Sequence, residues 1–129
     1  MSQGTVANML ARVTKSVEPI YKGIQQSISE AAVVGSDETS VKVKGQKDWM
    51  WVWQSQSASF IAYEQSRGYV SIIKNFPNGF KSSTLVSDAL SAQLKTPAQK
   101  HWKKRSIPTQ GKRPYPFTFF YGLAMKIQI

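Results

Sequence analysis

In Trp49-Met50-Trp51-Val52-Trp53 a tryptophan stands at every second residue. Side chains alternate between the two faces of a β-strand, so this spacing puts three very large side chains on one face of one strand. Such a face must be covered, and a domain core is the simplest cover; stacking on nucleic-acid bases is the other use for it. The chain has 129 residues and a hydrophobic fraction of 41%, enough for one small domain with a real core and too much for wholesale disorder.

The segments around this strand extend it into a sheet. Ala31 to Val43 is rich in β-branched residues and closes on Gly45, which reads as a strand entering a turn. Ser59-Phe60-Ile61-Ala62-Tyr63-Glu64 reads as a third strand, joined to the second by a polar turn around Ser55–Ser57. Strands with such short links form an antiparallel meander. The period then changes: Tyr69, Ile72, Ile73 and Phe76 recur at helical spacing between Gly68 and Pro77-Asn78-Gly79. Thr84-Leu85-Val86-Ser87-Asp88 follows as a short strand, with a helical stretch in 89–95 that Pro97 cuts off. A helix between the third and fourth strands permits a parallel crossover, so the fold class is α/β with a mixed sheet of order β-β-β-α-β. Ahead of it, Val6, Met9, Leu10, Val13 and Val17 keep helical spacing after a candidate cap at Thr5. Pro19 interrupts, and Ile20, Tyr21, Ile24 and Ile28 resume the pattern, predicting one kinked or two N-terminal helices that end near Ser29.

Composition excludes several chemistries. With no cysteine, a disulfide scaffold, an iron–sulfur cluster, a thiolate nucleophile and a Cys-bearing zinc site are all ruled out. With one histidine, any catalytic metal must be held by carboxylates, which favours a hard ion such as magnesium. There is no phosphate-cradling Gly-rich loop and no nucleophile elbow. No apolar run approaches the ~20 residues that span a bilayer, and no secretory signal is visible, which predicts a soluble, cytoplasmic protein. The formal charge is +10, but unevenly placed: residues 1–100 carry a net +4, whereas residues 101–129 carry +6 with no acid and half of the six prolines.

Two stretches share Ser-Asp-x-x-Ser after an apolar run: Ser36-Asp37-Glu38-Thr39-Ser40 and Ser87-Asp88-Ala89-Leu90-Ser91. If the first and fourth strands are neighbours, Asp37 and Asp88 converge at one sheet end, where they could bind magnesium for phosphodiester chemistry. The competing reading makes Asp88 a helix cap and Asp37 a solvent-facing residue at a strand bend. Glu38, adjacent to Asp37, faces the other way and is read as exposed. Arg67 before Gly68 either touches a phosphate or starts a solvated helix. Lys103-Lys104-Arg105 either binds phosphates without sequence preference or is a solvated basic run. His101 is read as a loop histidine.

Taken together, Gln3-Gly4-Thr5-Val6, Val33-Val34-Gly35-Ser36-Asp37-Glu38-Thr39, Lys47-Asp48-Trp49-Met50-Trp51-Val52, Ser66-Arg67-Gly68, Gly79-Phe80 and Leu85-Val86-Ser87-Asp88 resemble the insertion-sequence-sixty-six family of bacterial transposases, in order and spacing, over roughly residues 2–101. The resemblance implies a ribonuclease H-like catalytic domain with an Asp-Asp-Glu triad holding magnesium, and hydrolysis and strand transfer at the ends of a DNA element. It makes Asp37 and Asp88 the first two triad members. The family's Glu lies well downstream, and this sequence has no acid after Asp88. The family's Cys-rich zinc-binding segment has no counterpart here.

From His101 the family continues with a His/Cys/Leu-rich segment, whereas this chain continues Trp102-Lys103-Lys104-Arg105. The reading is therefore a helical lead-in over 1–30, a partial ribonuclease H-like domain over 31–101, incomplete at the C-terminus, and a basic, Pro- and aromatic-rich tail over 102–129 produced by a frameshift near codon 101. The fifth strand of such sheets is expected to be absent or replaced, and Phe117-Thr118-Phe119-Phe120-Tyr121 is an aggregation-prone segment if exposed. Little transposase activity is expected from this polypeptide alone. The alternative is a non-catalytic remnant that binds DNA or associates with full-length transposase.

Overall fold

The computed structural model describes residues 1–88 and 90–103. Its elements run α1 (Gln3–Glu30), β1 (Val33–Val43), β2 (Gln46–Gln54), β3 (Ser59–Glu64), α2 (Tyr69–Asn75), β4 (Phe80–Ser87), α3 (Ser91–Leu94) and β5 (Ala98–Lys103). The five strands form one sheet in the order β3-β2-β1-β4-β5. β1 pairs antiparallel with β2 and parallel with β4, so the sheet is mixed as expected, with the meander on one side and the crossover strands on the other.

Local chemistry sets the turns. Lys44 and Gly45 both take positive φ, 49° and 79°, giving a two-residue link whose twist matches the strands it joins. At the next hairpin the Ser55 hydroxyl accepts from the backbone N–H of Ser57 at 3.3 Å and of Ala58 at 3.2 Å. Gly79 has φ +62°, and a Cβ there would lie 2.6 Å from the Pro97 carbonyl oxygen, so the chain passes β5 at backbone distance. The Phe80 N–H uses that approach to donate to the same carbonyl at 2.7 Å.

The tryptophan face proves to be core. Trp51 and Trp53 are fully buried and stacked, ring centroids 5.5 Å apart at 8°. Phe76 from the end of α2 meets Trp53 at 5.0 Å and Phe60 at 5.6 Å edge-on, and Phe80 at 4.7 Å in a tilted contact. Ile28 of α1, Ile72 of α2 and Ala92 of α3 join Val34 and Leu85 in this cluster, so the helices cover one face of the sheet. Trp49, only partly buried, lies between two cations, Lys47 Nζ at 5.0 Å and Arg67 at 4.9 Å from its ring centroid. The stripe therefore runs from core to rim along one strand.

Three expectations need correction. The cap of α1 is Ser2 rather than Thr5, the Ser2 hydroxyl accepting from the Thr5 N–H at 3.2 Å; α1 itself is one helix of 28 residues through Pro19, in keeping with the one-helix reading. Pro19 removes one backbone donor, and the turns on either side retain theirs. The fifth strand is present: β5 pairs parallel with β4, Leu85 opposite His101 and Val86 opposite Trp102. His101 therefore stands on a strand, not in a loop. Lys104, Arg105 and the Phe117–Tyr121 run lie outside the described residues.

Candidate active site

The β1–β4 pairing decides how the two Ser-Asp stretches meet. Val33 lies opposite Thr84, Val34 opposite Leu85 and Gly35 opposite Val86. The ladder ends there; the same offset carried onward makes Ser36 correspond to Ser87 and Asp37 to Asp88, which lies one residue past β4. The repeated Ser-Asp thus falls where the parallel pairing of β1 with β4 gives out: Asp37 lies part-way along β1, which runs on to Val43 beside β2, and Asp88 directly follows the carboxyl end of β4. Ser36 and Ser87 are buried and both aspartates are exposed. The Asp37 carboxylate also accepts from the backbone N–H of Glu38 at 2.9 Å.

Glu38 departs most from its expected place. Its side chain is only 5% exposed, because β1 alternates Val34, Ser36 and Glu38 toward the helix-covered face. There it is engaged through both oxygens. Arg67 donates to Oε1 from Nη2 at 2.7 Å and from Nε at 2.8 Å, and Gln93 Nε2 donates to Oε2 at 3.0 Å. The same Gln93 amide lies 3.3 Å from Ser36 Oγ, tying α3 to the strand that carries Asp37. Burial pushes the Glu38 carboxyl above the ordinary carboxylate range; Arg67 opposes this, and the charges of Asp37 and Asp88 add to it. Glu38 therefore feels both aspartate charges, which puts the three acids in one neighbourhood where β1 and β4 part.

Arg67 is thus an ion-pair partner stacked against Trp49, with its guanidinium half exposed. Lys103 ends β5, opposite Ser87. His101, opposite Leu85, shares the inner face, and its Nδ1 is buried with no hydrogen-bond partner among the described residues. Among the described residues no three His, Cys, Asp or Glu side chains are grouped so as to hold a metal ion. None of the described helices is long and apolar enough to cross a membrane.

The sequence model of the family described as Transposase IS66 family matches residues 1–105. The chain belongs to that family. The match carries through β5 and past the composition break at residue 101. In this IS66-family chain, the lead-in helix and five-stranded mixed sheet form the ribonuclease H-like arrangement that membership implies. Among solved structures, the HTLV-2 integrase catalytic core domain in complex with magnesium (trimeric form) is similar at 19% identity and a TM-score of 0.44, covering 56% of this chain and 58% of that one. No curated protein matches the chain.

Proposed function

We propose that the chain contributes Asp37 and Asp88 to a divalent-cation centre acting on DNA phosphodiesters, as a fragment of a transposase. The supporting observation is that the two Ser-Asp stretches directly follow the paired segments of adjacent parallel strands, Gly35 lying opposite Val86, and that both aspartate charges act on Glu38. The donor set suits the ion: two exposed carboxylates beyond the β1–β4 pairing offer hard oxygen ligands, and, after burial, their charges raise the Glu38 carboxyl. Bound magnesium would polarise the scissile phosphate and the attacking water. Asp37 and Asp88 would hold it, while Glu38, bound to Arg67 and Gln93, fixes the β1 backbone beneath Asp37.

The 129 residues contain no acid beyond Asp88. We propose that this polypeptide alone binds magnesium weakly and cleaves DNA little or not at all. Titration calorimetry with magnesium and magnesium-dependent nicking of supercoiled plasmid, each compared with Asp37→Ala and Asp88→Ala, test the two parts. Weak magnesium binding lost in either variant supports the centre, and robust cleavage that needs both aspartates refutes inactivity. Binding that survives both substitutions refutes the centre. The absence of a three-donor group among the described residues favours a second reading, a DNA-binding remnant without catalysis. It predicts salt-dependent DNA binding indifferent to both aspartates.

A further inference from the structure

α1 is longer than the sheet it packs on. Twenty-eight residues span about 42 Å, and its buried contacts lie toward the C-terminal end, where Ile28 is enclosed in the core and Tyr21 packs against Phe60, ring centroids 4.6 Å apart and tilted. The same face continues N-terminally without cover: Val6, Leu10, Val13, Val17 and Ile20 are 43% to 65% exposed, and Met9 beside them is 51% exposed.

The spacing of these residues is specific. From Val6 to Ile24 the apolar positions advance by four, three, four, three and four residues, a 3.5-residue period. That is the period of a two-helix seam, whereas a helix lying on a sheet needs a broader 3.6-residue face. Pro19 stands on the opposite side of α1, where it neither fills nor blocks the seam. The positions flanking the seam (Ala7, Met9, Thr14, Ser16, Tyr21 and Gly23) are all uncharged, so an identical helix meets no like charge across the contact. Exposure at these levels leaves roughly 600 Å² on these six residues per chain, so two copies pairing through them would bury at most about 1,200 Å², the lower bound for a specific interface.

We infer that a second copy of this chain covers the seam, pairing α1 with α1 into a homodimer. The occupant follows from self-complementarity: the two halves of the contact have the same period, the same apolar character and neutral flanks. Sedimentation equilibrium of the full chain between about 1 and 100 μM tests it, with Leu10→Lys/Val17→Lys as the seam variant and Lys15→Glu, off the seam, as control. The expected result is a concentration-dependent rise from 14.5 kDa toward twice that mass in the native and control chains. The seam variant should stay monomeric, with dimer affinity weakened at least ~100-fold and an unchanged near-UV signal from the tryptophan core. A native chain that remains monomeric at 100 μM overturns the inference. So does association that persists in the seam variant, which would place the contact elsewhere. So does a monomer that floats with phosphatidylcholine or phosphatidylglycerol vesicles, which would make a lipid surface the occupant.

Discussion

Replacing Arg67 with Met keeps an apolar stem beside Trp49 and removes the guanidinium from Glu38. Two charge-assisted hydrogen bonds to Oε1 disappear, and Gln93 remains on Oε2. Removing one partner of a fully buried ion pair costs about 3–5 kcal/mol, and a hydrogen bond to a charged group contributes about 1.5–3 kcal/mol. Glu38 is nearly buried but Arg67 is half in water, which screens the pair, so the lower part of these ranges applies, about 2 kcal/mol at pH 7. With a urea slope of about 1.5 kcal/mol per molar, the unfolding midpoint followed by tryptophan fluorescence should fall by roughly 1.3 M.

The pH dependence carries the discriminating sign. Burial and the charges of Asp37 and Asp88 raise the Glu38 carboxyl, and Arg67 is what opposes them. Without Arg67 the folded-state value rises further above the unfolded one. For a carboxyl shifted in that direction, stability is intact below the unfolded value and is lost as pH rises through the folded value. The deficit of Arg67→Met relative to the native chain should therefore be largest near pH 7.5 and shrink toward pH 4.5. Adding Glu38→Gln to Arg67→Met should recover about half of it at pH 7.5. A deficit of equal size at both pH values, or no recovery in the double variant, would refute a buried carboxylate held by Arg67.

Two further outcomes follow from the geometry. Gly79→Ala should lower stability by about 1–3 kcal/mol in urea unfolding, and Gly79→Asn should not rescue it: asparagine tolerates the positive φ, but its Cβ still meets the Pro97 carbonyl. The Tyr63 phenol donates to the Asp48 carboxylate, which, with burial and the charge of Asp48, raises its pKa above the usual 10.0. The contribution of this contact should be complete below pH 10 and decline as pH rises through the folded value; burial and the charge of Glu64 raise the Tyr21 phenol as well, so absorbance titration of Tyr63→Phe should show one late tyrosine fewer, and Asp48→Asn should bring Tyr63 back toward 10.0.

Much of the sheet was legible because its signals are local. β3 was read from Ser59 to Glu64 as it stands, and the tryptophan period identified β2 and its inner face together. β5 was not legible: Ala98-Gln99-Lys100-His101-Trp102-Lys103 has no apolar alternation, and it becomes a strand because the edge of β4 is there to pair with. The aspartate pair was visible as a repeated dipeptide, but only the parallel register makes the repeat meaningful. Glu38 was misplaced for the opposite reason. Its neighbour Asp37 drew the functional reading outward, while the Val34, Ser36, Glu38 alternation already pointed inward, and Arg67 was available as the partner such an acid needs. Gln93 left no trace, since its role depends on where a four-residue helix happens to sit.

The pairing of β1 with β4 also has a kinetic side. The meander β1-β2-β3 closes through links of a few residues, whereas Val34 and Leu85 must find each other across fifty intervening positions. Non-local strand pairing pays its loop-closure entropy before any contact rewards it, so it belongs to the slow part of folding. The charges of Asp37 and Asp88 thus meet at Glu38 only when β4 docks, after the short links of the meander have closed.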